Sequence, residues 1–313
     1  MGLFETLHGI SVTKFDEYGN LEHCILNEEN QIETGCGVVI PRWQDVRQKV
    51  ESSLSFYPGG MLKSVMLETQ TAVPTPLGEL PAELLTFYPE GQLREIFSCI
   101  ETVTNDWTEE KKAALCPSLF FSLPVGAFRA KLASLHFYQS GALRSMSFRP
   151  GETVVLRVLH GLMPTRIGFS LYEDGTIESV EPPYPIAVTT PIGIISAFDP
   201  SALGIHDDSN SLSFYPDGSI RSITSADNQI EVITPQKQSI FFAPTTRTDP
   251  LLHNQTVTDP VRITFADNSV TLENSVGKKS FSLSECCFRV FTLDGTTSRP
   301  TNCGDCASCN LCG

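Results

Sequence analysis

A seven-residue turn unit recurs six times in this chain of 313 residues and constrains its fold more than any other feature. It reads FDEYGNL (15–21), FYPGGML (56–62), FYPEGQL (87–93), FYQSGAL (137–143), LYEDGTI (171–177) and FYPDGSI (214–220). A large apolar residue is followed four positions later by Gly and six positions later by an aliphatic residue. Tyr57, Tyr88, Tyr138, Tyr172 and Tyr215 directly follow the apolar anchor. Pro58, Pro89 and Pro216 pre-set φ for the second position of a type I turn. The glycine two residues on can take the left-handed conformation that closes a bulged three-residue connection. Such a glycine would cost a helix about 1 kcal/mol at each copy, so the unit predicts a β-hairpin.

The flanks agree. Leu54, Phe56 and Leu62 form an inward row, with Ser53, Ser55 and Ser64 alternating outward. A second turn class lies between the first, at Thr75-Pro76-Leu77-Gly78, Thr190-Pro191-Ile192-Gly193 and, more loosely, Pro164 to Gly168. The glycines at 60, 91, 141, 175 and 218 are 31, 50, 34 and 43 residues apart, which favours a meandering antiparallel sheet with insertions over a strict solenoid. One insertion reads as a short helix: Asp106 and Glu109 have capping-box spacing, and Pro117 stops the segment after Leu115. The predicted fold is all-β, with irregular antiparallel β-hairpin repeats forming an elongated or curved sheet and one short helix. Its expected organisation is a repeat domain over 1–242, a connecting loop over 243–260, terminal hairpins over 261–299 and a cysteine-rich tail over 300–313.

The FYPxGxL units resemble the variant MORN-like hairpin repeats found in many bacterial proteins. That resemblance covers the six seven-residue cores and implies a repeated hairpin sheet used for protein contacts. No catalytic residue travels with it.

The strongest chemical signal is the run Cys303-Gly-Asp-Cys306-Ala-Ser-Cys309-Asn-Leu-Cys312, preceded by adjacent Cys286 and Cys287. Thiolates suit zinc, copper(I) or iron–sulfur clusters because sulfur is a soft donor. The run is similar to the Cys-x-x-Cys-x-x-Cys segment of bacterial ferredoxins, matched at Cys303, Cys306 and Cys309. The resemblance implies an iron–sulfur cluster, its fourth ligand drawn from Cys286, Cys287 or Cys312. Zinc, a disulfide or a redox-labile surface remain open readings of the same thiols. Cys24, Cys36, Cys99 and Cys116 are dispersed.

Composition narrows the function. Thirty-six acidic against 22 basic residues give a net charge of −14, and no basic run appears, so the expected partners exclude nucleic acid. No secretory signal and no membrane span is apparent, which makes a cytoplasmic protein the expectation. Nucleophile elbow, phosphate-binding loop and dinucleotide fingerprint are all missing. His136, beside Phe137 in a predicted strand, is expected at the surface, and His206-Asp207-Asp208 in a solvated loop. The tyrosines that follow the anchors form a candidate interaction surface, while Lys63, Arg94, Arg144 and Arg221 are placed to pair with surface acids. The expected function is a non-catalytic scaffold or protein-interaction module with a protein partner. The alternative is a metal- or iron–sulfur-binding redox protein that uses the cysteine tail.

Overall fold

The computed structural model describes residues 3–43, 52–100, 116–159, 161–202, 210–248 and 256–293. Among these residues it is nearly all β, with twenty-six strands and a single 3-10 turn at Leu3–Thr6. The all-β antiparallel reading is therefore what the chain adopts. The predicted helix over 109–115, the His206-Asp207-Asp208 cluster and the tail cysteines at 303–312 lie outside the described residues.

The chain forms two compact bodies, an N-terminal one (1–152 with 171–175) and a C-terminal one (153–170 with 176–313). The stretch 243–260, expected as a connecting loop, lies inside the C-terminal body and carries two paired strands, Thr245–Thr248 and Thr256–Asp259.

All six repeat glycines sit at φ between 81° and 91°, a region that a side chain enters only with strain. In the second repeat Gly60 N–H donates to Tyr57 C=O at 3.0 Å and Tyr57 N–H to Met61 C=O at 2.8 Å; the third, fourth and sixth repeats reproduce both bonds. The strand register slips by one residue just before each anchor, as between Ser55 and Phe56. These are the bulged turns that the sequence predicts.

Between successive repeats the chain makes longer hairpins, here called arms. The first pairs Ile32–Thr34 with Gly37–Val39, and the second pairs 71–75 with 78–82 beyond a register break after Met66. The third pairs Ser118–Leu123 with 126–131, the fourth Thr153–Val158 with 161–166, and the fifth Ile186–Thr190 with Gly193–Ala197. A threonine closes three of these tips: the hydroxyls of Thr34, Thr75 and Thr190 donate to the carbonyls of Gly37, Gly78 and Gly193 at 2.8, 2.7 and 2.7 Å. The predicted Thr-Pro turns at 75–78 and 190–193 are thus arm tips. Pro164 to Gly168 is instead interior to the strand Gly161–Leu171, because the fourth arm turns earlier, at Val158–Gly161.

The arms follow one placement rule. The second residue of an arm tip lies against the turn two repeats further on. A methyl group built on Gly141 would meet Pro76 Cγ at 3.5 Å, one on Gly175 would meet Pro124 Cγ at 3.8 Å, and one on Gly218 would meet Leu159 Cδ2 at 2.7 Å. Gly35 of the first arm likewise approaches the Gly91 carbonyl. In the fifth arm the tip glycine, Gly193, faces Val290.

The core of each body is a row of apolar side chains in direct cross-strand register. In the N-terminal body it runs Cys24, Leu54, Val65, Leu85, Ile96, Leu135, Met146. In the C-terminal body it runs Val180, Leu212, Ile223, Ile263, Leu272. None is more than 1% exposed, so each large aliphatic contributes about 1.5–3 kcal/mol of burial.

Candidate functional site

The tyrosine row is used inside the protein. Tyr57 Oη donates to Phe87 C=O at 2.9 Å, Tyr88 to Phe137 at 2.8 Å and Tyr138 to Leu171 at 2.9 Å. In the C-terminal body Tyr215 donates to Phe265 at 2.6 Å. Every acceptor among the first three is the apolar anchor of the next repeat. Phe265 opens a tighter hairpin without the bulge, pairing directly with Val270 across a two-residue Asp267-Asn268 turn in which Asp267 takes a positive φ of 38°. The sequence shows this segment only as another hairpin, since both tyrosine and glycine are missing from it. Each of these four phenols thus fastens one turn to a later hairpin and satisfies a carbonyl at its entrance.

The cations beyond the aliphatic anchors divide. Lys63, Arg94 and Arg144 lie over the rings of Tyr57, Tyr88 and Tyr138, at 5.9, 6.0 and 5.7 Å from their centroids. Arg221 makes the acid pair expected of it, with Glu178 at 3.1 Å. The rings of the row are only partly buried, so they add apolar surface beside each turn.

Behind the apolar rows, on the opposite face of the strands, the residue before each anchor stands across from the second residue past the aliphatic. In the N-terminal body these positions connect laterally as Lys14, His23, Ser55, Ser64, Thr86, Glu95, His136 and Ser145, each opposite the next. Ser55 Oγ and Ser64 Oγ are 2.5 Å apart, Thr86 Oγ1 donates to Glu95 Oε2 at 3.2 Å, and Glu95 Oε1 is 3.9 Å from His136 Nδ1. The expected surface position of His136 is overturned, since it is 3% exposed. Ser53 and Ser55 are likewise buried rather than outward. Both faces of these short strands are covered, so alternation of side chains no longer means alternation of burial. Ser53 shows the use made of this, its hydroxyl accepting from Leu26 N–H at 3.1 Å.

The corresponding row of the C-terminal body holds only hydroxyls: Ser170, Ser179, Ser213, Ser222, Thr264, Thr271 and Ser280. The pairs 170/179, 213/222 and 271/280 are bridged at 2.6, 2.6 and 2.7 Å. Its most deeply buried carboxyl among the described residues lies elsewhere. Glu181, fully buried, accepts from Ser211 N–H and Oγ at 2.7 and 2.9 Å, with Arg166 at 3.6 Å. Burial pushes its carboxyl above the usual range, while the Ser211 bonds and Arg166 pull it back. Arg166 also stacks on Phe198 at 5.0 Å and donates to the carbonyls of Pro182 and Asp199. Nothing in the local sequence marks Glu181; only the fold assembles its partners.

Of the predicted thiol ligands, Cys286 and Cys287 are described. Cys287 opens the strand Cys287–Thr292 opposite Ile233, and burial, then the Glu285 carboxylate, pushes the Cys286 thiol up. Among the described residues no three His, Cys, Asp or Glu side chains gather as a metal site. Cys24 and Cys36 are 1% and 4% exposed, closed to a reagent in solution, and desolvation pushes both thiols up to about 11.

Among the described residues the two most exposed apolar side chains, Val276 and Tyr18, sit at turns outside the arms, but Val38, Phe120, Leu159 and Leu162 are exposed on the arms themselves. On the fourth arm Val155 and Leu162 are 50% and 71% exposed, and share their face with Arg157 and Pro164 across the register pairs 155/164 and 157/162. The opposite face carries Val154, Leu156 and Thr165, all buried. Among the described residues no helix is long and apolar enough to cross a membrane. No family model, no curated protein and no solved structure matches the chain.

Proposed function

We propose that this chain is a non-catalytic hairpin-repeat protein that binds a protein partner through the outer face of its arms. The observation that carries the reading is the fourth arm. One face is buried and hydroxyl- or aliphatic-lined, while the other presents Val155 and Leu162 to solvent with Arg157 between them. Grouped exposed apolar residues on an ordered two-stranded element are characteristic of contact surfaces. The tyrosine phenols support the same division of labour, since their hydroxyls brace the repeats internally. The resemblance to MORN-like repeats, which points to protein contacts, is consistent with this use.

The test compares the native chain with a Val155→Ser/Leu162→Ser variant, each used to isolate partners from cells that make the protein. A defined protein bound stoichiometrically by the native chain, and at least tenfold more weakly by the variant at unchanged melting temperature, is expected. Equal binding by both would remove the arm from the interface. Steady turnover of a substrate, abolished by Glu95→Gln or Glu181→Gln, would replace the reading with an enzymatic one.

A further inference from the structure

Two cysteines far apart in the sequence meet at the edge of the N-terminal body. Phe97 stands opposite Ser134, and Ser98 N–H donates to Ala133 C=O at 3.1 Å. The chain then leaves this strand and returns to it at Ser118, opposite Lys131. Positions 133 and 131 are two residues apart on one strand, a rise of about 7 Å. The departing and returning ends are therefore held side by side, with Cys99 just beyond the first and Cys116 just before the second. Their side chains are neighbours, and Cys116 is among the groups that raise the Cys99 thiol. Cys99 is partly exposed, and Cys116 is 7% exposed. Below the pair, Ile100 N–H donates to Glu83 Oε2 at 2.7 Å and Gln70 Nε2 to Ser98 C=O at 2.7 Å, so the departing end is anchored on the neighbouring strands.

We propose that Cys99 and Cys116 are a reversible dithiol–disulfide pair that clasps the two ends of this excursion, oxidised by exchange with a low-molecular-weight disulfide such as glutathione disulfide. Cys99, the accessible thiol, attacks one glutathione sulfur; the glutathione S–S bond breaks and one glutathione thiolate leaves. Cys116 then attacks Cys99 Sγ in the mixed disulfide, forming the protein S–S bond and expelling the second glutathione thiolate. The two protons given up by the protein thiols go to the two leaving thiolates. The protein loses two electrons and the glutathione disulfide gains them. Burial first, then Cys116 and the Glu83 carboxylate, push the Cys99 thiol up to about 12. Because the thiolate is the attacking species, exchange accelerates by about tenfold per pH unit between pH 7 and 9.

The test equilibrates the full chain in glutathione buffers of graded ratio, quenches with acid, alkylates the free thiols and maps the peptides. The expected result is a peptide joining Cys99 to Cys116, released by reductant, with Cys24 and Cys36 still alkylated after unfolding. Cys116→Ser should instead accumulate glutathione on Cys99, and Cys99→Ser should abolish both products. Oxidation of the native chain should raise its melting temperature by roughly several degrees, a shift absent from either serine variant. Cys99 and Cys116 both remaining alkylatable at ratios where the tail cysteines have oxidised would overturn the proposal. So would a linked pair that forms equally well in urea, since the clasp requires the folded strand edge.

Discussion

The two bodies are built on the same hairpin and differ in what they place behind the apolar row. The N-terminal body sets Lys14, His23, Glu95 and His136 into its polar row, whereas the C-terminal body fills the equivalent positions with serine and threonine. A hydroxyl is donor and acceptor at once, so adjacent rungs satisfy one another whatever their order, as the 2.6 Å pairs at 170/179 and 213/222 show. A carboxylate only accepts. Glu95 must therefore be flanked by donors, and Thr86 and His136 stand on either side of it. The repeat thus tolerates two chemistries in one geometry, but the ionisable version depends on its neighbours.

The largest test of that contrast addresses what the bodies share. Ile96→Ala and Ile263→Ala remove fully buried side chains from corresponding rows, and each should destabilise its own body by about 2–5 kcal/mol in denaturant melts. A much smaller loss in one body would show that its row is loosely packed.

Glycine replacements should separate the bodies next. Gly60→Ala meets open space and suffers only from its φ of 82°, at about 1–2 kcal/mol. Gly218→Ala has a similar φ of 81° and in addition drives its methyl to 2.7 Å from Leu159 Cδ2. It should lose more, and Leu159→Ala should recover part of the difference. Equal losses would break the rule that an arm covers the turn two repeats on.

Single polar changes are expected to be smaller. Glu95→Ala leaves Thr86 and His136 without their carboxylate and should cost about 1–3 kcal/mol; Ser213→Ala, inside a hydroxyl row, about 1 kcal/mol. Tyr88→Phe tests the inter-repeat bond alone and should also cost about 1 kcal/mol.

The smallest effect is on pH dependence. Glu181 has a raised carboxyl pKa, so the folded C-terminal body holds that proton to higher pH than the unfolded chain does. Its contribution is fully present below the ordinary 4.5 and is lost as pH rises through the folded value. Asp16 and Asp217 act oppositely: their side-chain bonds, to Asn20 and to Ser219, lower their pKa values, and their contribution fades as pH falls below 3.8. Glu181→Gln should flatten the C-terminal melting profile above pH 4.5 and leave the N-terminal one unchanged. A slope that persists would assign it to another group.

The sequence by itself determined the local hairpin. Glycine six times at one place, with proline or another turn former ahead of it, leaves the backbone one inexpensive conformation, and all six copies adopt it. The Thr-Pro tips at 75–78 and 190–193 were legible for the same reason, because their closing bonds join residues three apart. Where the code ran out, the deciding partner was distant. The hairpin at Phe265 has neither the tyrosine nor the glycine of the repeats, and the Tyr215 bond to Phe265 ties it to them. His136 and Ser55 read as outward because alternation reports which face a side chain takes, but not what covers that face. Cys99 and Cys116 read as scattered until their strand ends were brought together against 131–134. Short-range sterics fix a turn from a handful of residues. Which turns meet, which faces are covered and which thiols touch depend on pairings across tens of residues, and only the tertiary structure decides those.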